Sequence, residues 1–128
     1  MMICLTRENE INCLFEGLIS IGVGLEYKSD VPLKSETFWP RVAIAALWLR
    51  LLTSNIYKAS REEMYKNRTG GETAWNGPPG YSIERWNLWK NRLQELSTTE
   101  SGDADVKKAC RATAGTMEAA EHALATVV

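Results

Sequence analysis

Thr37–Leu52 reads TFWPRVAIAALWLRLL, and how this stretch is interpreted decides the fold. Its only charged residues are Arg41 and Arg50. At about 100° per residue, the steps between them place the two arginines on opposite sides of a helix. A helix that is apolar all round is a buried one, so the remaining elements are expected to pack around a central helix over 37–52. Buried arginines then need partners, because an unpaired buried charge is very costly. Glu16, Glu36 and Glu84 are the nominated carboxylates. The uninterrupted apolar run falls short of the ~20 residues that cross a bilayer, so it is read as a core helix and not as a membrane span.

Working outward, Ile11, Leu14, Phe15, Leu18 and Ile19 recur at helical spacing. They predict an amphipathic helix from about Arg7 to Ile21, with Cys13 beside the stripe, Gly17 a weak point, and Gly22 and Gly24 ending it. Leu25–Glu36, with Pro32, reads as a connection. Ser35 or Thr37 is the expected N-cap of the central helix, and Pro40 falls in its first turn, where a missing N–H costs least.

Downstream, Ile56–Asn67 predicts a shorter helix that starts or restarts at Ser60, where Ser-Arg-Glu-Glu has capping-box spacing. Thr69–Tyr81 holds Gly70, Gly71, Gly77, Pro78, Pro79 and Gly80, and reads as a loop. Ser82 caps a helix over Ile83–Leu96, whose Trp86, Trp89, Leu93 and Leu96 form a packing seam. Asp103 or Asp105 caps the last helix, whose seam is Val106, Cys110, Thr113, Met117, Ala120, Leu124 and Val127. Ala112, Ala114, Ala119, Ala123 and Ala125 fall off that seam. Gly115 lies in the helix interior without evident reason. No stretch alternates as a strand does, and no repeat is present.

The segment Ile83–Leu96, with its Arg-Trp-x-x-Trp-Lys-x-Arg-Leu spacing, resembles an uncharacterised family of predominantly helical fungal proteins, a domain of unknown function. Phe38-Trp39-Pro40-Arg41-Val42-Ala43 is similar to that family's Trp-Pro helix, and the Ala-rich tail with Met117 and Glu118 is compatible with its C-terminal helix. The resemblance spans roughly 36–124. It implies an α-helical fold, a fungal source and, the family's members being longer, a short form or a truncated reading frame. It implies no chemistry.

Composition narrows the function classes. The chain of 128 residues is long enough for one domain with one core. Hydrophobic residues make up 45% and charged residues 24%, as in ordinary globular proteins. A net charge of −1 gives no electrostatic reason to bind nucleic acid. Cys4, Cys13 and Cys110 are odd in number and widely spaced, which favours reduced thiols and an intracellular, cytoplasmic setting. The N-terminus lacks the features of an export signal. Asn67-Arg68-Thr69 matches the glycosylation pattern, which carries no weight without secretion.

The chemistry-bearing residues are then weighed in turn. His122, the single histidine, stands one turn after Glu118, but a second pair of metal ligands is missing, so no metal and no cofactor is expected. Cys110 has Lys107, Lys108 and Arg111 near it in sequence, but it lies on an apolar seam and reads as core. The glycines match neither the phosphate-binding loop nor the dinucleotide fingerprint. Trp39, Trp48, Trp86 and Trp89 read as core between two helices, with a ligand pocket as the sharper alternative. Arg85 with Trp89 and Lys90 with Trp86 are cation–π pairs by spacing. The loop bearing Trp75 and Tyr81 either presents an exposed recognition feature or folds back over the end of the bundle.

The resulting expectation is an all-α fold, about five helices around a buried 37–52 helix. The expected function is non-enzymatic, exercised through protein contacts or self-association as a homodimer that engages the last helix. The alternative is a small-molecule-binding protein or cofactor-free enzyme with a Trp/Arg-lined pocket. The residues nominated for a ligand or partner are Arg41, Arg50, Trp75, Tyr81, Arg85, Trp86 and Trp89.

Overall fold

A computed structural model of the chain describes residues 7–26, 36–65, 75, 77, 79–99 and 102–125. Each segment with helical periodicity is a helix there: α1 (Arg7–Leu25), α2 (Phe38–Leu51), α3 (Thr53–Arg61), α4 (Ile83–Ser97) and α5 (Ala104–Ala125). Among the described residues there is no strand. The fold is all-α.

The first helix runs straight through Gly22 and Gly24, past the expected end. The reason is contact with α2. A Cβ at Gly24 would run into the backbone oxygen of Arg41 and stand 2.7 Å from the Ala45 Cβ; one at Gly17 would stand 3.0 Å from the Trp48 ring. These glycines let the two helices approach closely, and because Gly24 meets the start of α2 and Gly17 its end, the pair is antiparallel. What reads in sequence as a weak point and a stop is a packing face.

The central helix departs from expectation. Phe38, Val42, Ala45, Ala46 and Leu49 are buried, on one side of α2. Pro40, Arg41, Ile44, Arg50 and Leu51 are exposed. The helix is therefore buried on one half only. The physical reason is the supply of neighbours: among the described elements, α1 and α5 lie against α2 and α3 continues from its end, which is too few to surround it. Arg41 and Arg50 accordingly stand at the surface with Glu16, Glu36 and Glu84, which are exposed as well. Thr37 occupies the N-cap position of α2 but its side chain makes no capping bond. Ser35 lies outside the described residues.

A kink at Leu52 separates α2 from α3, and the Thr53 hydroxyl donates back to the carbonyls of Leu49 and of Arg50, the latter at 3.0 Å. Thus α3 starts before Ile56 and stops at Arg61, short of the expected Asn67. Ser60 does not cap a new helix. It is buried within α3 and donates its hydroxyl to the Ile56 carbonyl at 2.8 Å. After α3 the backbone enters the left-handed region at Glu63 (φ 53°) and Tyr65 (φ 64°).

The α4 cap is as expected, with the Ser82 hydroxyl accepting from the Arg85 N–H at 3.1 Å. At α5 the cap is Asp103, whose carboxylate accepts from the N–H groups of Asp105 at 2.9 Å and Val106 at 3.1 Å. The α4 seam of Trp86, Trp89, Leu93 and Leu96 is fully buried, and Cys110, Thr113, Met117 and Ala120 of α5 are buried too. Ala114, placed off the seam by spacing, is also buried. The side chain of Leu124, together with Val127, lies outside the described residues. The core thus lies between the inner face of α2 and the seams of α1, α4 and α5, with Ile56 and Ala59 of α3 closing it.

Candidate functional site

The densest polar constellation surrounds Arg85, in the first turns of α4. Its guanidinium is buried and faces Glu26, the residue that follows α1, whose side chain is wholly shielded from solvent. The pairing is bidentate: Nε donates to Oε2 and Nη2 donates to Oε1 at 2.6 Å. A third donor, the Trp89 indole N–H, reaches Oε2 at 2.9 Å. The remaining direction of Arg85 is taken by the Gly80 carbonyl, to which Nη1 donates at 3.1 Å. Such fork-to-fork geometry makes the strongest kind of side-chain hydrogen bonding. A carboxylate at a helix C-terminus opposes the helix dipole, and here Arg85 neutralises it.

Local sequence explains how the pieces are held. Gly80 has φ 83°, which favours glycine, and a Cβ there would collide with the backbone of Met64 and Tyr65. That close approach lets the Tyr81 N–H donate to the Met64 carbonyl at 2.8 Å, fixing the loop end against the turn after α3. Tyr81 is fully buried, stands edge-on to Trp89 with centroids 5.9 Å apart, and donates its hydroxyl to the Leu14 carbonyl of α1 at 2.5 Å. Arg85 lies 5.7 Å from the Trp75 ring centroid and 5.9 Å from that of Trp89.

Four of the seven nominated residues, Trp75, Tyr81, Arg85 and Trp89, are therefore brought together. Trp75 is half-buried, and Tyr81 is buried and is not an exposed recognition residue. Trp86 faces another direction: its ring lies 4.8 Å from that of Tyr57, and its N–H donates to Glu121 of α5 at 3.2 Å. Lys90 pairs with the same Glu121 at 2.8 and 2.9 Å instead of stacking on Trp86. Arg41 and Arg50 are exposed, on the outer half of α2.

This arrangement locks elements together. Burial pushes the Tyr81 hydroxyl far above its ordinary range, with Tyr65 adding to the effect and Arg85 opposing it. Burial also pushes the Cys110 thiol up to about 11, so it is not a thiolate at neutral pH. Glu118, nominated with His122 as a metal pair, accepts from Gln94 at 3.0 Å. Among the described residues no three His, Cys, Asp or Glu side chains gather as a metal site would need. Cys4, the Cys13 side chain, Asn67–Gly71, Asn76 and Pro78 lie outside the described residues.

Glu26 is the residue that sequence reasoning misses, because it falls in the stretch that reads as a connection. It stands seven residues after Ile19 and eleven after Phe15, so it prolongs the α1 stripe once the helix is carried past its glycines.

The comparison with protein families falls on this same ground. A family model described as "Protein of unknown function (DUF3632)" matches residues 5–93. The chain belongs to this family. The match begins ahead of α1, where the resemblance seen in sequence began only near Glu36, and it stops within α4, where that resemblance ran on to Leu124. It therefore takes in Glu26, Arg85 and Trp89 together with all of α2, and leaves out α5. No curated protein and no solved structure matches the chain. Among the described residues no helix is long and apolar enough to cross a membrane.

Proposed function

We propose that the protein is a non-enzymatic helical module that acts through contacts with other proteins. The observation that carries this reading is the outer half of α2, where Ile44 is 50% and Leu51 43% exposed. Apolar side chains left at the surface on one helix face are what a contact surface requires. The engaged state of the Arg85 cluster points the same way, because its carboxylate, guanidinium and indole groups already satisfy one another.

Self-association is the second form of this reading. The exposed side of α5 carries Ala112, Gly115, Ala119 and Ala123, small residues against which another helix can pack closely. Light scattering across a concentration series separates the two forms, and a monomer mass at tens of micromolar rules out the homodimer. The contact reading is tested by affinity capture from extract of the source cells with the parent and the Ile44→Asp/Leu51→Asp chain. A protein held by the parent and lost by the variant supports it, and identical retention overturns it.

A further inference from the structure

The chemistry of the α2 surface narrows what can cover it. Pro40, Ile44, Leu47 and Leu51 follow one another at steps of four, three and four, so they form a ridge about 60° wide. Pro40, Ile44 and Leu51 are exposed and Leu47 is half-buried. Arg41 lies about 100° to one side of Pro40 and Arg50 about 80° to the other, so the ridge runs between two cations. Both arginines are exposed, and among the described residues neither takes part in a salt bridge. The ridge spans roughly 16 Å, about three helical turns.

We infer that this face docks an amphipathic helix of another protein, apolar on one side with acidic residues along both edges of its apolar stripe. The inference rests on the contact reading above and names the partner's chemistry. A helix of matching length lays its apolar stripe on the ridge, and its edge carboxylates meet Arg41 on one side and Arg50 on the other. A second copy of this chain fits less well. Two α2 faces meeting about a two-fold axis would gather four arginines around one small contact, with like charges opposed and no carboxylate from α2 to answer them.

The probe is a synthetic helix of about 18 residues with Leu on one face and Glu along both edges, compared with a twin that carries Lys in place of Glu. Binding is read by calorimetry. The parent chain is expected to bind the Glu peptide at least about tenfold more tightly than the Lys peptide, and less tightly as salt rises. Arg41→Glu/Arg50→Glu reverses the preference, and Ile44→Asp/Leu51→Asp abolishes binding of both. These are exposed positions, and far-UV melting of each variant confirms that it is folded. The peptide comparison needs no variant at all. Absence of binding by the parent, or equal affinity for the two peptides, overturns the inference. So does a parent dimer that Leu51→Asp converts to monomer. If Ile44→Asp/Leu51→Asp loses a captured protein while the peptide preference is absent, the acidic partner falls and the contact reading stands. If capture is unchanged, the contact reading itself falls.

Discussion

Helices α2 and α4 invert the usual relation between residue type and depth. On α2, the most apolar segment of the chain, Ile44 and Leu51 stand in solvent. On α4, where charged and amide residues abound, Arg85 is only 5% exposed. The difference lies in what surrounds each position. Arg85 has Glu26, Trp89 and Gly80 around it, whereas Ile44 and Leu51 on the outer half of α2 are exposed. Burial follows from partners and coverage, and residue type only sets the cost of going without them.

This contrast makes ordered predictions for stability, all read by chemical denaturation. The largest effect is expected for Arg85→Ala, about 3–5 kcal/mol, because the variant leaves the Glu26 carboxylate buried without its counter-charge. Glu26→Leu/Arg85→Met should recover most of that loss. A double variant as unstable as Arg85→Ala would show that the pair does more than balance charge. Trp86→Ala, which removes a fully buried indole packed on Tyr57, should cost a similar ~3–5 kcal/mol, and an unchanged denaturation midpoint would refute its place in the core.

Gly24→Ala probes the α1–α2 approach. The added methyl meets backbone and not a side-chain end that can swing aside, so a loss of about 1–3 kcal/mol is expected. Thr113→Val reverses the sign. The Thr113 hydroxyl is buried with no hydrogen-bond partner among the described residues, so an isosteric apolar side chain should raise stability by roughly 1 kcal/mol. The smallest effect belongs to α2 itself: Ile44→Asp should change stability by less than about 0.5 kcal/mol, as exposed positions do. A large loss there would restore the picture of a helix buried on every side.

Much of the scaffold was legible in sequence because it depends on local spacing. The α4 seam, the Ser82 cap and the all-α class follow from periodicity and capping, which act within a few residues. The Arg85 cluster was only half legible. Its aromatic members and Arg85 itself stand out in sequence, but Glu26 does not, because two glycines read as a stop to α1 before it. Those glycines are read correctly only when the backbone of Arg41 is seen beside Gly24.

The chain by itself determined that the fold is helical and which face of α4 turns inward. These properties rest on interactions between residues near one another in sequence. Tertiary structure alone decided which half of α2 is covered, since a helix apolar on both sides carries no pattern to orient it and the choice falls to the shapes of α1 and α5. It also decided which arginine is buried: among the described residues neither Arg41 nor Arg50 forms a salt bridge, whereas Arg85 meets Glu26 across 59 residues of sequence, and a charge leaves water only where its partner is already in place.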